Sequence, residues 1–431
     1  MAQRKRRNGR RSRRTTPAAK ARLRIDVIGA RGDGVAVHDG GRIYVPYTAP
    51  GDVIDADITG ERAAIETLVE ESPHRASAPC PHFGVCGGCA LQHVSEEFYR
   101  EWKRRLVVDA LAREGFEESV IAPLVACAPD SRRRARFAIR KTAAGVVFGF
   151  NMRGADRIID IEHCLVLDPM LQKAMTGLRM LAAATPERWR SFDMAANLCD
   201  NGIDVSFAGG DAADDLSGPE TMQLTEAASA AGILRLSIDD APIAVFQTPI
   251  TSFGGVQVAQ PPGVFLQASR EGEAALVRIA TQAATGARRI ADLFSGAGTF
   301  TLPLSQTSAV DAFDADAPAI AALDAAARKS ALSHPVAARV QNLFDRPVMA
   351  SELQSYDAVI FDPPRAGAKA QAAEIAASSV AAVIGVSCNP ASFARDAAIL
   401  RAGGYALSQV TPVDQFVYAP HVELIGIFTK G

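Results

Sequence analysis

The sequence predicts a multidomain α/β protein: a small N-terminal β-barrel of the OB type, a mostly-β middle segment with clustered cysteines, and a C-terminal doubly wound parallel sheet. Short alternating apolar runs separated by Gly-rich turns fill residues 22–70, which suits the barrel. Three of the seven cysteines, Cys80, Cys86 and Cys89, fall together beyond it. From about residue 285 short apolar runs alternate with Ala-rich helical stretches, the grammar of a parallel sheet covered by helices. The expected divisions are a basic arm over 1–21, the barrel over 22–75, a central domain over 76–264 and the sheet domain over 265–431.

Composition narrows the setting. With 48% hydrophobic residues the chain can bury a core in each part. No apolar run reaches the ~18 residues of a membrane span. The first residues are basic and polar with no apolar stretch behind them, so a cytoplasmic, monomeric protein without a secretory signal is expected. The formal net charge of −2 conceals an asymmetry: residues 1–24 hold eleven Lys or Arg and no acid, which leaves −13 on the remainder. A basic arm on an acidic body suits a polyanion, because each neutralised phosphate releases counterions. A solvated tail and an Arg-rich targeting peptide are the competing readings, although residues 10–14 have no amphipathic face.

In the barrel segment Leu23, Ile25 and Val27 alternate, as do Ile54, Ala56 and Ile58, with turns at 31–34 and 39–41. The run GDGVAVHDGGRIYVPYTAPGD resembles the TRAM domain, which implies RNA contact. A helix is expected over 95–113, with Ser95 as N-cap and Phe98, Trp102, Leu106 and Ala110 on one stripe, and it could pack on the sheet domain. Residues 130–265 read as mostly β, interrupted by an acidic loop at 209–219. Arg132, Arg133, Arg134 and Arg136 share one short segment and suit RNA phosphates or a solvated face.

Strands are expected at 290–294, 310–313, 337–340, 358–361, 382–386, 406–410 and 424–428, with a helix over 317–331. The first ends in ADLFSGAGTF, where Gly296 and Gly298 let the backbone turn and approach a ligand at a helix N-terminus. Such a loop alone does not distinguish one nucleotide from another. The second strand ends in Asp314, suited to a ribose diol, and the fourth runs into FDPPR at the carboxyl edge. Together these resemble the class I S-adenosylmethionine-dependent methyltransferase fold. A dinucleotide-binding fold would favour a fuller G-x-G-x-x-G and does not predict DPPR.

The fifth strand ends in SCNP, with Cys388, and the last begins in HVELIGIF, with Glu423. Carbon 5 of uracil is a poor nucleophile. A thiolate added to carbon 6 pushes electron density onto carbon 5, and a base must then remove the proton so that the thiolate can leave. Cys388 fits the nucleophile and Glu423 the base. A buried thiol and an ion-paired carboxylate are the bland alternatives for each taken singly.

The ordered set DLFSG, DPPR, SCNP and HVE resembles the RNA 5-methyluridine methyltransferase family. The resemblance implies that Gln267, in FLQAS, with Phe294, Asp314, Asn342 and Asp362, contacts S-adenosylmethionine. It also implies uridine rather than cytidine, since no second Cys stands in DPPR. Departures from the family pattern are Ser295 for Cys, Ser269 for Asn, Thr299 for Asn, Asp314 for Glu, and the stretch VDQFVYAPHVE.

Cys80, Cys86 and Cys89 form C-x5-C-x2-C, with Gly84, Gly87 and Gly88 leaving room for a bulky group. Cys164 is the best fourth ligand, and spacing alone leaves an iron–sulfur cluster and tetrahedral zinc equally open. A TRAM-bearing branch of the family, acting on 23S ribosomal RNA, carries a [4Fe–4S] cluster on this spacing, so the resemblance implies that cluster. The partner then expected is 23S rRNA with a looped or flipped-out uridine. Transfer RNA as substrate, a non-catalytic RNA-binding assembly factor on the same scaffold and a zinc-dependent RNA-binding module are the other readings.

Overall fold

The computed structural model describes residues 19–209 and 216–430. The basic arm up to residue 18 and most of the acidic loop expected at 209–219 lie outside the described residues. The chain divides into two compact units, Met1–Ala78 with Ala90–Ser95, and Pro79–Cys89 with Glu96–Gly431.

In the first unit the alternation read from the sequence turns its apolar residues inward except for Val27, which is exposed. Leu23, Ile25, Ile54, Ala56 and Ile58 are buried together with Ala36, Ile43 and Val45. Six strands form one sheet in the order Ala19–Arg24, Val53–Thr59, Arg62–Glu70, Gly41–Pro46, Asp33–His38, Val27–Ile28. Asp52 is wholly buried yet fully satisfied, a condition for tolerating a charge there. It accepts from the amides of Ala49 (2.6 Å) and Ser72 (2.9 Å) and from Arg75 at 2.8 Å through two nitrogens.

The middle of the second unit is a seven-stranded sheet in the order Ile158–Asp160, Gly145–Asn151, Arg134–Thr142, Ser191–Leu198, Ile203–Ala208, Arg235–Ile238, Ala241–Val245. Strands predominate here, and two helices that the sequence reading did not anticipate, Pro169–Ala183 and Gly218–Ala230, pack on them. Leu171, Met175, Leu178 and Leu181 recur at helical spacing and share one core with Phe137, Phe148, Trp189 and Phe207. The start signals are ordinary: Asp168 accepts from the Met170 amide before Pro169, and Ser217 forms a capping box with Glu220. The hairpin Ile250–Phe253 and Val256–Ala259 packs instead with Leu302, Ala312 and Leu323 of the C-terminal layers.

The C-terminal sheet has the order Val336–Val340, Ala309–Asp314, Arg289–Leu293, Ala358–Phe361, Ala382–Ser387, Glu423–Lys430, Tyr405–Asp414, Val125–Ala126. It is not parallel throughout, as the sequence suggested. Glu423–Lys430 runs antiparallel to both its neighbours. The segment between 414 and 423 is too short for a parallel crossover, which needs a dozen or more residues. Helix Glu96–Arg113 packs on this layer through Val107, Val108, Ala110 and Leu111. Of the expected stripe Trp102 and Ala110 are buried and Phe98 and Leu106 only half-buried, while Tyr99 and Lys103 are buried as well. Among the described residues no helix is long and apolar enough to cross a membrane.

Candidate active site

The loop after Arg289–Leu293 is shaped by steric need. Gly298, at φ 100°, has no room for a side chain, since a Cβ would stand 2.6 Å from Leu323 Cδ1. At Gly296, φ 53°, a Cβ would meet nothing within 4 Å, so the backbone there faces open space. Phe294 also adopts the left-handed region, at φ 64°, and its ring lies 5.4 Å from that of half-exposed Phe344. Asp314 fixes the loop: Oδ2 accepts from Gly296 N and Oδ1 from Asp316 N, both at 2.8 Å. Asn342 shapes the next turn, accepting from Phe344 N at 3.1 Å and donating to Asp345 at 2.6 Å.

Beneath the loop Asp292 is buried, with Oδ2 accepting from Thr301 Oγ1 at 2.6 Å. Its Oδ1 and the buried Ser295 Oγ have no protein partner. Burial first, then the charges of Asp362 and Asp314, push Asp292 up to about 7. Orphaned acceptors beside an open glycine edge and an acid-tipped second strand fit a cationic, hydroxyl-bearing cofactor. Sequence reasoning missed Asp292 and Phe344, although both sit within or beside motifs it used.

The nucleophile candidate is presented by its own neighbours. Asn389 caps helix Pro390–Ala402, its Oδ1 accepting from Ala391 N at 3.1 Å, while Nδ2 donates to the Arg365 carbonyl at 3.0 Å. SCNP is thereby tied to DPPR, with half-buried Cys388 between them. The antiparallel pairing of Ser387 with Leu424 brings the preceding residue, Glu423, alongside Cys388. Burial, then the charges of Glu423 and Asp362, push the Cys388 thiol up to about 11, against the opposing pull of Arg365. Burial and Asp362 push Glu423 up to about 8. Asp362 itself is pushed up to about 7, chiefly by burial, while Gln267 Nε2 donates to its Oδ2 at 3.0 Å. Gln267, Asp362, Cys388 and Glu423 thus form one group; Phe294, Asp314 and Asn342 flank it along the sheet's carboxyl edge.

The arginine segment holds the irregular stretch that carries Gln267. Arg133 is fully buried, donating from Nε to the Gln267 carbonyl at 2.9 Å and pairing with Glu273. Arg134 donates to the Leu266 carbonyl at 2.5 Å and lies 4.5 Å from the centre of the exposed Phe265 ring. The reading of all four arginines as phosphate contacts is therefore corrected; of the four, only Arg136 is largely exposed, and it pairs with Asp193.

The family model described as tRNA (uracil-5-)-methyltransferase matches residues 256–430. An RNA methyltransferase of Brucella suis is 44% identical over 96% of this chain and 99% of its own length. The 23S rRNA (uracil(1939)-C(5))-methyltransferase RlmD of Chromohalobacter salexigens is 32% identical over 95% of this chain and 89% of its own. The chain belongs to the uracil-5 RNA methyltransferase family. It is an S-adenosylmethionine-dependent RNA methyltransferase. Among solved structures, Pyrococcus abyssi tRNA (uracil-54, C5)-methyltransferase with S-adenosyl-L-homocysteine superposes with a TM-score of 0.73 at 25% identity, covering 95% of this chain and 99% of that one.

In this uracil-5 methyltransferase the four candidate metal ligands share one patch. Gly87 N donates to the Asn151 carbonyl at 2.9 Å, and Cys86 bridges to Met152 on the same hairpin. Gly88 N donates to Cys86 Sγ at 3.4 Å, Leu167 N donates to the Cys164 carbonyl at 3.3 Å, and the Val166 and Leu167 amides work against the rise of the Cys164 thiol. Cys80 lies near enough to raise both the Cys86 and Cys164 thiols, burial being the larger cause, while Arg132 faces Cys164 and Cys89. Among the described residues no three His, Cys, Asp or Glu side chains converge on one metal ion. One amide–sulfur bond, from Gly88 to Cys86, is of the kind that tunes a cluster thiolate.

Proposed function

We propose that the protein methylates carbon 5 of a uridine in 23S ribosomal RNA, through a covalent adduct of Cys388 with carbon 6 and proton removal by Glu423. The antiparallel register that sets Glu423 alongside Cys388, next to Asp362, carries this reading. Gln267, Phe294, Asp314, Asn342 and Asp362 would hold S-adenosylmethionine, which supplies an electrophilic methyl group. Once its thiol proton has gone to solvent, the Cys388 thiolate would add to carbon 6, and the electron pair pushed onto carbon 5 would take the methyl group as the bond to the sulfonium sulfur breaks, leaving S-adenosyl-L-homocysteine. Glu423 then takes the carbon-5 proton; the freed pair restores the ring double bond and expels the thiolate. Kinship with RlmD across most of the chain favours ribosomal RNA; the Pyrococcus abyssi enzyme makes transfer RNA the second reading.

Cys388→Ala is expected to abolish both methylation and adduct, whereas Glu423→Gln should accumulate methylated RNA joined to Cys388. A denaturing gel with labelled RNA, followed by peptide mapping, distinguishes them. An adduct on Cys127 or Cys199 would overturn the mechanism. Mass mapping of nucleosides in ribosomal and transfer RNA from a deletion strain decides the substrate.

Cys80, Cys86, Cys89 and Cys164 are proposed to hold a [4Fe–4S] cluster. The C-x5-C-x2-C spacing with Cys164, together with the resemblance to the cluster-bearing branch of the family, supports this reading, and tetrahedral zinc is the alternative. Protein purified without oxygen should contain iron and acid-labile sulfide. Stoichiometric zinc without iron would refute the cluster.

A further inference from the structure

We infer that Gln415 positions Glu423: its side-chain amide holds one carboxylate oxygen and passes that hold to Gln267, leaving the other oxygen to take the proton. This rests on Glu423 being the base. Gln415, Gln267 and Glu423 are each at most 3% exposed, so their polar atoms answer to one another rather than to water. The orientation of the Gln415 amide is forced. Its Oε1 accepts from Ala268 N at 2.9 Å, and Nε2 therefore points to Gln267 Oε1 and Glu423 Oε2, each at 2.8 Å. Two N–H bonds meet two acceptors, and a flipped amide would set oxygen against oxygen.

The seat is built for this side chain. Gly272, in the first turn of helix Arg270–Ala283, leaves the space, since a Cβ there would stand 2.7 Å from Gln415 Cβ. The preceding residue, Asp414, is anchored by Tyr99 and by Lys103 Nζ at 2.6 Å. Beyond Gln267 the chain of bonds ends on Asp362 Oδ2, 3.0 Å from Gln267 Nε2. The two carboxylates that oppose each other's ionisation are thus each given one amide N–H. Asp362 also faces Asp314 and Asp292, and the Cys388 thiol faces both carboxylates and Arg365; His421 nearby faces Arg365, Lys103 and Arg132.

Without its donor the Glu423 carboxylate is harder to ionise, so the step it serves should move to higher pH. Gln415→Met keeps the length and removes both N–H bonds. Adduct formation should stay near the parental rate, while release of methylated RNA from Cys388 at neutral pH slows by about tenfold or more. The release profile should shift to higher pH, which a loss of packing alone would not produce. Gln415→Asn, one methylene too short to span both contacts, should shift it in the same direction. A cooperative thermal melt by circular dichroism reports that each variant is folded, and Gln415→Asn is read if Gln415→Met is not. Release on the parental pH profile in the folded variant overturns the inference, as does failure of both variants to fold, which would make Gln415 purely structural. Should Glu423→Gln itself release RNA at the parental rate, the base assignment falls instead, whatever Gln415 does.

Discussion

Asp314 accepts from the backbone amides of Gly296 and Asp316 and thereby joins the loop after one strand to the turn after the next. Asp314→Ala frees both amides and removes the acid facing the open glycine edge. The affinity for S-adenosylmethionine, measured by calorimetry, should fall on the order of tenfold or more, the loss of one or two charge-assisted hydrogen bonds. An unchanged dissociation constant would remove Asp314 from the cofactor site. Residues of this kind were legible in the sequence because strand ends and short motifs announce them: Asp314, Asp362, Cys388 and Glu423 all stand at the carboxyl edge. Gln415 was not legible, because its role depends on meeting Ala268 N, 147 residues away. Arg133 misled for the opposite reason, since a charge in a basic run reads as surface, yet its partner Glu273 draws it inside. Asp292 lies inside ADLFSGAGTF, but what sets it apart there is its unpartnered buried oxygen.

Helix Glu96–Arg113 was legible as a helix but not in its orientation, since apolar spacing assigns Lys103 to solvent. Lys103 is instead fully buried, bonded to Asp414 Oδ1 at 2.6 Å and to the carbonyls of Phe416 and His421. Burial pulls its pKa down and Asp414 opposes that. The helix therefore secures the segment that leads from Gln415 to Glu423. Lys103→Met leaves the Asp414 charge buried with only Tyr99 as a side-chain donor, and should cost about 3–5 kcal/mol in urea unfolding. Adding Asp414→Asn should recover much of that, because the uncompensated charge is then gone. Parental stability for Lys103→Met alone would mean that the ion pair contributes nothing. The two helices on the central sheet escaped for a different reason: their capping residues were present, but the β-rich surroundings outweighed apolar spacing at 171, 175 and 178.

Across the whole molecule, alternating strands and helices made the C-terminal sheet legible, whereas its antiparallel strand followed from the length of a loop rather than from any apolar period. That strand brings Glu423 into the group containing Asp362, and acids gathered in low dielectric have a consequence for stability. Asp292 and Asp362 are pushed up to about 7 and Glu423 to about 8, burial being the main cause in each. In the unfolded chain they titrate near 3.9 for Asp and 4.3 for Glu, to about half a unit. Between those limits the folded state binds more protons than the unfolded state, so stability falls as pH rises. Carboxylates held low, such as Asp200 bonded to Arg270 and Ser252, act in the other direction only at more acid pH. The Tm of the ligand-free protein should therefore decline from about pH 5 to about pH 8. Glu423→Gln removes one of the raised acids. It should melt above the parent near pH 8, where the parent must ionise a buried carboxylate, and close to it near pH 5, to about half a unit. A cationic ligand favours the ionised carboxylates, so S-adenosylmethionine should flatten the parental curve as well. Parallel curves for parent and variant across this range would show that Glu423 carries no such cost, and would leave its ionisation near that of an ordinary carboxylate.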